Sequence, residues 1–335
     1  MNTNKCEYAK LIEYRRNNLS EQIHTGIILH MNRNKIITQT GNDNGYKFYH
    51  RSCMKPLQIA TLIDLEIDKK INLTDEEIAI CSASHAGEML HQEMVLSILK
   101  KTGYKEDDLL CPPLLPLSKK EQRRLIINQL PIRKIHNNCS GKHSAMLAIC
   151  KEKGYKTENY KDYNHPLTNI ILNKVCELCE TSKDNVIISK DGCGLPVIAT
   201  SLYELGKGYL NLFCNPKYKR IKQSFLNNPY LIGGDGRLDT EIIKASKGKL
   251  IAKVGAGGLC TVVNTEKEEC LIVKIADSNM EARSICVTES IKQLKWPENI
   301  KDFSDHLDKI YKKEIVSQDN EILGEIVPCF SISRQ

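Results

Sequence analysis

Apolar residues recur along the chain with two different periods, and the changes between them mark out the elements. Near the start, "TGIILHM" and "KIITQT" read as two strands joined by the polar turn "NRNK". After "RSCMKP" the period lengthens to that of a helix in "LQIATLIDLEI". "HQEMVLSILKKTG" (91–103) keeps Met94, Leu96, Ile98 and Leu99 apolar at helical spacing, and Gly103 provides a stop. "CPPLLPLS" (111–118) is expected to be an extended loop, because its prolines fit neither helix nor sheet interior. Helices are predicted from the "CSGKH" turn onward and over "HPLTNIILNKVCELCE" (165–180). The strand "NVIIS" (185–189) leads into the loop "KDGCGLP" (190–196). Three more strands are expected at "KLIAKVG" (249–255), "LCTVVN" (259–264) and "CLIVKIA" (270–276). A helix over "NMEARSICVTESIKQL" and a helical tail complete the pattern. Strands toward both ends with helices between them predict a mixed sheet carrying helical layers, of α/β or mixed α+β class. No repeat, low-complexity tract or linker interrupts residues 1–335, so one domain is expected.

Composition narrows the class of protein. Of 335 residues, 41% are hydrophobic and 27% charged, enough apolar material for a proper core. The net charge of +7 comes from lysines spread along the chain. Its densest runs, "SKKEQRR" (118–124) and "KYKRIKQ" (217–223), carry no nucleic-acid-binding module beside them, so they read as solvated faces. "MNTNKCEYAK" has no apolar core of the signal-peptide kind, and no stretch reaches the length of a membrane span. A cytoplasmic location is therefore expected, with the 14 cysteines reduced rather than paired. Cys176 and Cys179 form the only C-x-x-C, without a second pair, and are expected to pack in the core.

Five segments could carry chemistry. In "RSCMKP" (51–56), Ser52 and Lys55 are three apart and share one face of a first helical turn. A neutral lysine there could take the serine's proton, and the helix terminus supplies a positive potential that favours neutrality. The plainer reading makes Ser52 an N-cap and Lys55 a solvated side chain. Lys274 lies in "CLIVKIA", apolar on both faces, as in a central strand; a buried lysine there must be paired or deprotonated, unless the strand lies at an edge and the side chain reaches water. "CSASHAGE" (81–88) offers Ser84 among small residues; its neighbour His85 is discounted as a partner, since adjacent residues seldom face each other. "NNCSGKH" (137–143) sets Cys139 and Lys142 at the mouth of a helix, where a thiol is acidified. "KDGCGLP" presents Cys193 between two glycines. Together the two thiols would make a soft-metal site, with the lysine amine as a third ligand if deprotonated. "KVGAGGL" (253–259) and "KTG" (101–103) lack the spacing of nucleotide or lactam motifs and are set aside.

In order, "SEQIHTG" (20–26), "RSCMKPLQ" (51–58), "CSASHAGE", "NNCSGKH", "DGCGLP" (191–196), "GGDGRLDT" (233–240) and "KVGAGGL" resemble the asparaginase II family of class 3 L-asparaginases. The matches span roughly residues 15 to 285. One departure is "CPPLLP", which lacks a Gly-His pair associated with this segment. The resemblance implies a serine β-lactamase-like fold, a homodimer, and hydrolysis of L-asparagine to L-aspartate and ammonia. It places two Ser–Lys pairs on Ser52 with Lys55 and on Ser84 with Lys274, and a zinc site on Cys139, Lys142 and Cys193. It also sets Arg51 and Asp191 where they could orient the substrate. No nucleic-acid or membrane partner is expected. The alternatives are a glutaminase or another S-x-x-K amidohydrolase, and a zinc-binding protein without catalysis.

Overall fold

The apolar run in "TGIILHM" becomes the inner half of the longest strand, and the main sheet is arranged about it. The structure, a computed structural model, describes residues 5–332. Its strands are β1 (Ala9–Arg16), β2 (Leu19–Asn32), β3 (Ile36–Thr40), β4 (Phe48–Tyr49), β5 (Ile187–Lys190), β6 (Pro196–Thr200), β7 (Leu250–Val254), β8 (Leu259–Asn264), β9 (Glu269–Ile275), β10 (Glu314–Val316) and β11 (Ile322–Pro328). The main sheet runs β10-β11-β1-β2-β9-β8-β7, with β3 paired to β2. The protein is thus an α/β structure of sheet and helical layers, as expected. Every pairing described is antiparallel, so the sheet is not mixed in strand direction.

Residues on both faces of β8 and β9 are buried, which explains their uninterrupted apolar sequences. The helices Leu202–Phe213 and Met280–Gln293 both pack on these central strands. The expected helical tail is only partly helical. After the helix Ile300–Ile310 the chain returns as β10 and β11, and β11 pairs with β1, setting Ile12 against Pro328 and Tyr14 against Ile326.

A second layer consists of the helices Lys55–Asp64, Asp75–Ser82, Met89–Thr102, Ser140–Lys153 and Pro166–Leu178, packed on one another. The helix Ser140–Lys153 is buried from Ser140 to Cys150, so its polar residues in that stretch must find partners inside the protein. Gly141 permits this packing. A Cβ at that position would lie 2.2 Å from the carbonyl oxygen of Ile80, so only glycine lets the two helices touch there. Among the described residues, no helix is long and apolar enough to cross a membrane. All the cysteines are free thiols.

A small sheet, β4-β6-β5, stands apart from the main one. Its strand β4 runs directly into Arg51 and Ser52, and its β5–β6 hairpin carries the "DGCGL" turn. In that turn Asp191 N–H donates to Leu195 O at 2.8 Å, and Gly194 adopts φ +91°, a region that disfavours other residues. The small sheet therefore brings two of the sequence's candidate segments side by side.

Candidate active site

Four short segments meet where the helical layer approaches the small sheet. The first is the tight turn Arg51–Met54, which continues into the helix Lys55–Asp64. Its position is fixed from behind. His50 N–H donates to Ile198 O at 2.9 Å, Tyr209 donates to Cys53 O at 2.8 Å, and the Cys53 thiol donates to Lys253 O at 3.2 Å. Arg51 holds φ +48°, a left-handed conformation unfavourable for a side chain that size, and it is locked by an ion pair with Asp191 at 2.7 Å. The two residues expected to orient a substrate thus pair with each other.

The second segment carries Ser84. The helix Asp75–Ser82 begins with a capping box between Thr74 and Glu77 and ends at Ala83, which is extended. Ser84 N–H then donates to Ile232 O at 3.1 Å. This places Ser84 Oγ 3.3 Å from Ser52 Oγ. His85, as expected, turns away from Ser84. Its Nε2 lies 3.0 Å from Ser140 Oγ, and its Nδ1 accepts from Gly87 N–H.

Lys55 is not a solvated side chain. It is 1% exposed, and its Nζ donates to Ala83 O at 2.7 Å and to Asn138 O at 3.0 Å. Burial pushes its pKa down; the Cys139 sulfur opposes that, and the charges of Lys142 and Lys253 add to it. A neutral amine has two hydrogens to give to those two carbonyls and keeps its lone pair free. The helical spacing of Ser52 and Lys55 thus delivers a lysine whose basic form is favoured.

The third and fourth segments bring Cys139, Lys142 and Cys193 together, all buried. Lys142 Nζ lies 3.1 Å from Cys193 Sγ. The hydrogen bond from Cys139 pulls the Cys193 thiol far below its ordinary value against the effect of burial, and Lys142 adds to the pull. That same contact, together with burial, raises Cys139. Burial acts to lower Lys142, but the sulfurs of Cys193 and Cys139 and the charge of Asp191 outweigh it and keep the ammonium form. These directions favour a thiolate on Cys193 and an ammonium on Lys142. His143 stands beside Cys193, interacting with its sulfur, and its Nδ1 is bonded to Tyr160 OH at 2.6 Å. Among the described residues, no three His, Cys, Asp or Glu side chains converge as a metal site, so a metal here would need Lys142 among its ligands.

Lys274 belongs to the main sheet. It sits on β9, half-buried, with Nζ donating to Ile275 O at 2.6 Å and 5.8 Å from the centre of the Phe48 ring. Among the described residues no hydrogen bond joins it to Ser84. A fully buried strand lysine is instead Lys253 on β7, paired at 2.9 Å with Asp239 of the helix Leu238–Ala245, both side chains 0% exposed. The segment "KLIAKVG" is as apolar on both faces as "CLIVKIA", so the sequence held the same signal for both lysines. Sequence reasoning also missed Asn138, whose Nδ2 donates to Ser84 Oγ at 2.9 Å. No sequence period marks such a residue, since its partner lies 54 positions away.

Two hydroxyls thus lie in contact, on segments joined by a buried lysine, an arrangement with the groups that serine–lysine acyl transfer requires. The L-asparaginase II family model matches residues 12–328, and the chain belongs to that family, an enzyme of the amidohydrolase kind. No curated protein matches the chain. Among solved structures, a β-lactamase from Mycobacterium bovis is similar, at 10% identity and a TM-score of 0.37, covering 85% of this chain and 94% of that one.

Proposed function

We propose that this protein is an L-asparaginase that hydrolyses the side-chain amide of L-asparagine through an acyl-enzyme on Ser52. The observation that carries the reading is the 3.3 Å approach of Ser52 Oγ to Ser84 Oγ beside a lysine whose ammonium form is disfavoured. Ser52 gives its proton to the Lys55 amine as its oxygen bonds to the amide carbon. The C–N bond then breaks as a proton reaches the leaving nitrogen, and ammonia departs. Water attacks the resulting ester, its proton passing to the same base, and aspartate is released with Ser52 restored. Arg51, held by Asp191, supplies a fixed positive charge for a substrate carboxylate. Lys274, which makes no described hydrogen bond to either serine, is given no step in this scheme.

The same reading assigns a zinc ion to Cys139, Lys142 and Cys193. Support comes from the donor set: two buried sulfurs and the Lys142 nitrogen in contact, the lysine binding as the amine once the metal has displaced its proton. Such an ion, when bound, would neutralise the thiolates and supply a Lewis acid next to the substrate's polar groups. The family resemblance extends the proposal to a homodimer. The test is ammonia release by the purified protein from L-asparagine and, separately, from L-glutamine. Turnover of asparagine well above glutamine is expected; preference for glutamine would replace the substrate, and turnover of neither would overturn the reading.

A further inference from the structure

We propose that Asn138 is the positioning residue that divides the work between the two serines, leaving Ser52 to attack and making Ser84 the proton carrier. The inference rests on the acyl-transfer reading of the site and adds to it a reason for the choice of nucleophile.

The neighbouring asparagines of "NNCSGKH" have separate tasks. Asn137 is spent on the turn itself: its Oδ1 accepts from Cys139 N–H at 2.9 Å and its Nδ2 donates to Pro112 O at 2.8 Å. Asn138 is half-buried and turned toward the serines. Its backbone oxygen accepts from Lys55 Nζ at 3.0 Å, and its side-chain Nδ2 donates to Ser84 Oγ at 2.9 Å. One residue therefore touches both the base of the Ser52 segment and the hydroxyl of the Ser84 segment.

The direction of that hydrogen bond decides the chemistry. A serine hydroxyl has one proton to give and two lone pairs. A donor seated on one lone pair of Ser84 Oγ draws electron density from the oxygen, which weakens it as a nucleophile and strengthens its O–H as a donor. That proton has an acceptor within reach, Ser52 Oγ at 3.3 Å. Among the described residues, Ser52 Oγ makes no other hydrogen bond, so its second lone pair and its own proton remain available for attack.

The protons balance. Ser52's proton moves to Lys55 as the O–C bond forms. Ser84 gives its proton to the leaving nitrogen as the C–N bond breaks. The alkoxide left on Ser84 is held by the Asn138 N–H until the Lys55 ammonium returns a proton to it. Lys55 ends as the neutral amine, ready to serve the attack of water.

The experiment compares wild type with Asn138→Ala and Asn138→Asp. Three readouts are taken: kcat and KM for L-asparagine, the rate at which a fluorophosphonate modifies Ser52 with the site located by mass spectrometry, and the melting temperature. Neither substitution removes the backbone oxygen that holds Lys55. For Asn138→Ala, kcat is expected to fall roughly 10- to 1,000-fold with KM within about threefold of wild type and melting unchanged. Asn138→Asp should fall further, because a carboxylate only accepts and would draw the Ser84 proton away from Ser52. Retention of kcat by both variants, a loss confined to KM, or modification of Ser84 in preference to Ser52 in wild type would overturn the proposal. A wild-type protein that labels on Ser52 but leaves asparagine intact would remove only the amide substrate. The labelling rates of the two variants would then decide on Asn138, with slowing expected and wild-type rates overturning it.

Discussion

Lys55 Nζ donates to the carbonyl oxygen of Ala83 at 2.7 Å, so the lysine of one serine segment is anchored on the residue just before the other serine. The two segments cannot move apart without breaking a buried hydrogen bond to a nitrogen that has no water to replace it. The Ser52–Ser84 distance is therefore a property of the packed helices and not of a flexible loop. A site held this way is pre-formed before substrate arrives, which is what acyl transfer requires of its attacking group.

Replacing each serine in turn separates attack from proton transfer. Ser52→Ala is expected to leave less than about a hundredth of wild-type ammonia release, given the size of losses on removing a nucleophile. Ser84→Ala should retain modification of Ser52 and lose roughly 100-fold in turnover, the scale of a single proton-transfer partner. The reverse ranking, with Ser52→Ala the more active variant, would exchange the two roles.

The pH dependence of kcat/KM follows from Lys55. Burial lowers its pKa, and the active form is the neutral amine, so activity rises with pH through that lowered value and levels above it. The rise should therefore begin below the ordinary lysine range. Lys55→Met should abolish turnover while leaving the fold intact by circular dichroism. A rate profile that is flat with pH in wild type would exclude Lys55 as the base.

Zinc content tests the thiol pair directly. Purified wild type is expected to carry zinc by elemental analysis, and Cys193→Ser to lose it, because the thiol most disposed to be a thiolate is the strongest ligand of the set. Lys142→Met should weaken retention against a chelator. If wild type holds no zinc after growth and dialysis in its presence, the three residues form a structural cluster only.

Stability should fall on acidification through the buried histidines. Burial lowers His50 to about 3, with its Nε2 fixed 2.7 Å from Thr200 Oγ1. An unfolded histidine titrates near about 6.5. Between these values the unfolded chain binds more protons than the folded one. This contribution is therefore complete above about pH 6.5 and is lost as pH falls toward the folded value, by up to about 1.4 kcal/mol per pH unit. Burial acts on His85 and His143 in the same direction. His50→Gln should flatten the decline of urea midpoints between neutral and mildly acidic pH. An unchanged slope would mean that His50 is protonated in the fold.

What the sequence determined by itself was local. The β2–β3 hairpin, the helices starting near Lys55, Ser140 and Pro166, and the strands β7 to β9 were legible, because each follows from a period of apolar residues or from a turn residue whose backbone has few choices. The spacing of Ser52 and Lys55, and of Cys139 and Lys142, was legible for the same reason, since a helix turn fixes which residues share a face. The pairing of β1 with β11 was hidden, for only one residue of β11 is fully buried and its partner lies more than 300 residues away. Lys253 and Lys274 both sit in apolar strands; only the neighbours brought by folding enclose the first with Asp239 and leave the second half-buried over Phe48. The contact of the two serines, the meeting of Cys139 with Cys193, and the reach of Asn138 to Ser84 were decided by tertiary packing alone. Hydrogen bonds and ion pairs act over a few ångströms of space, and a one-dimensional pattern records spacing along the chain, not which distant segments the buried core presses together.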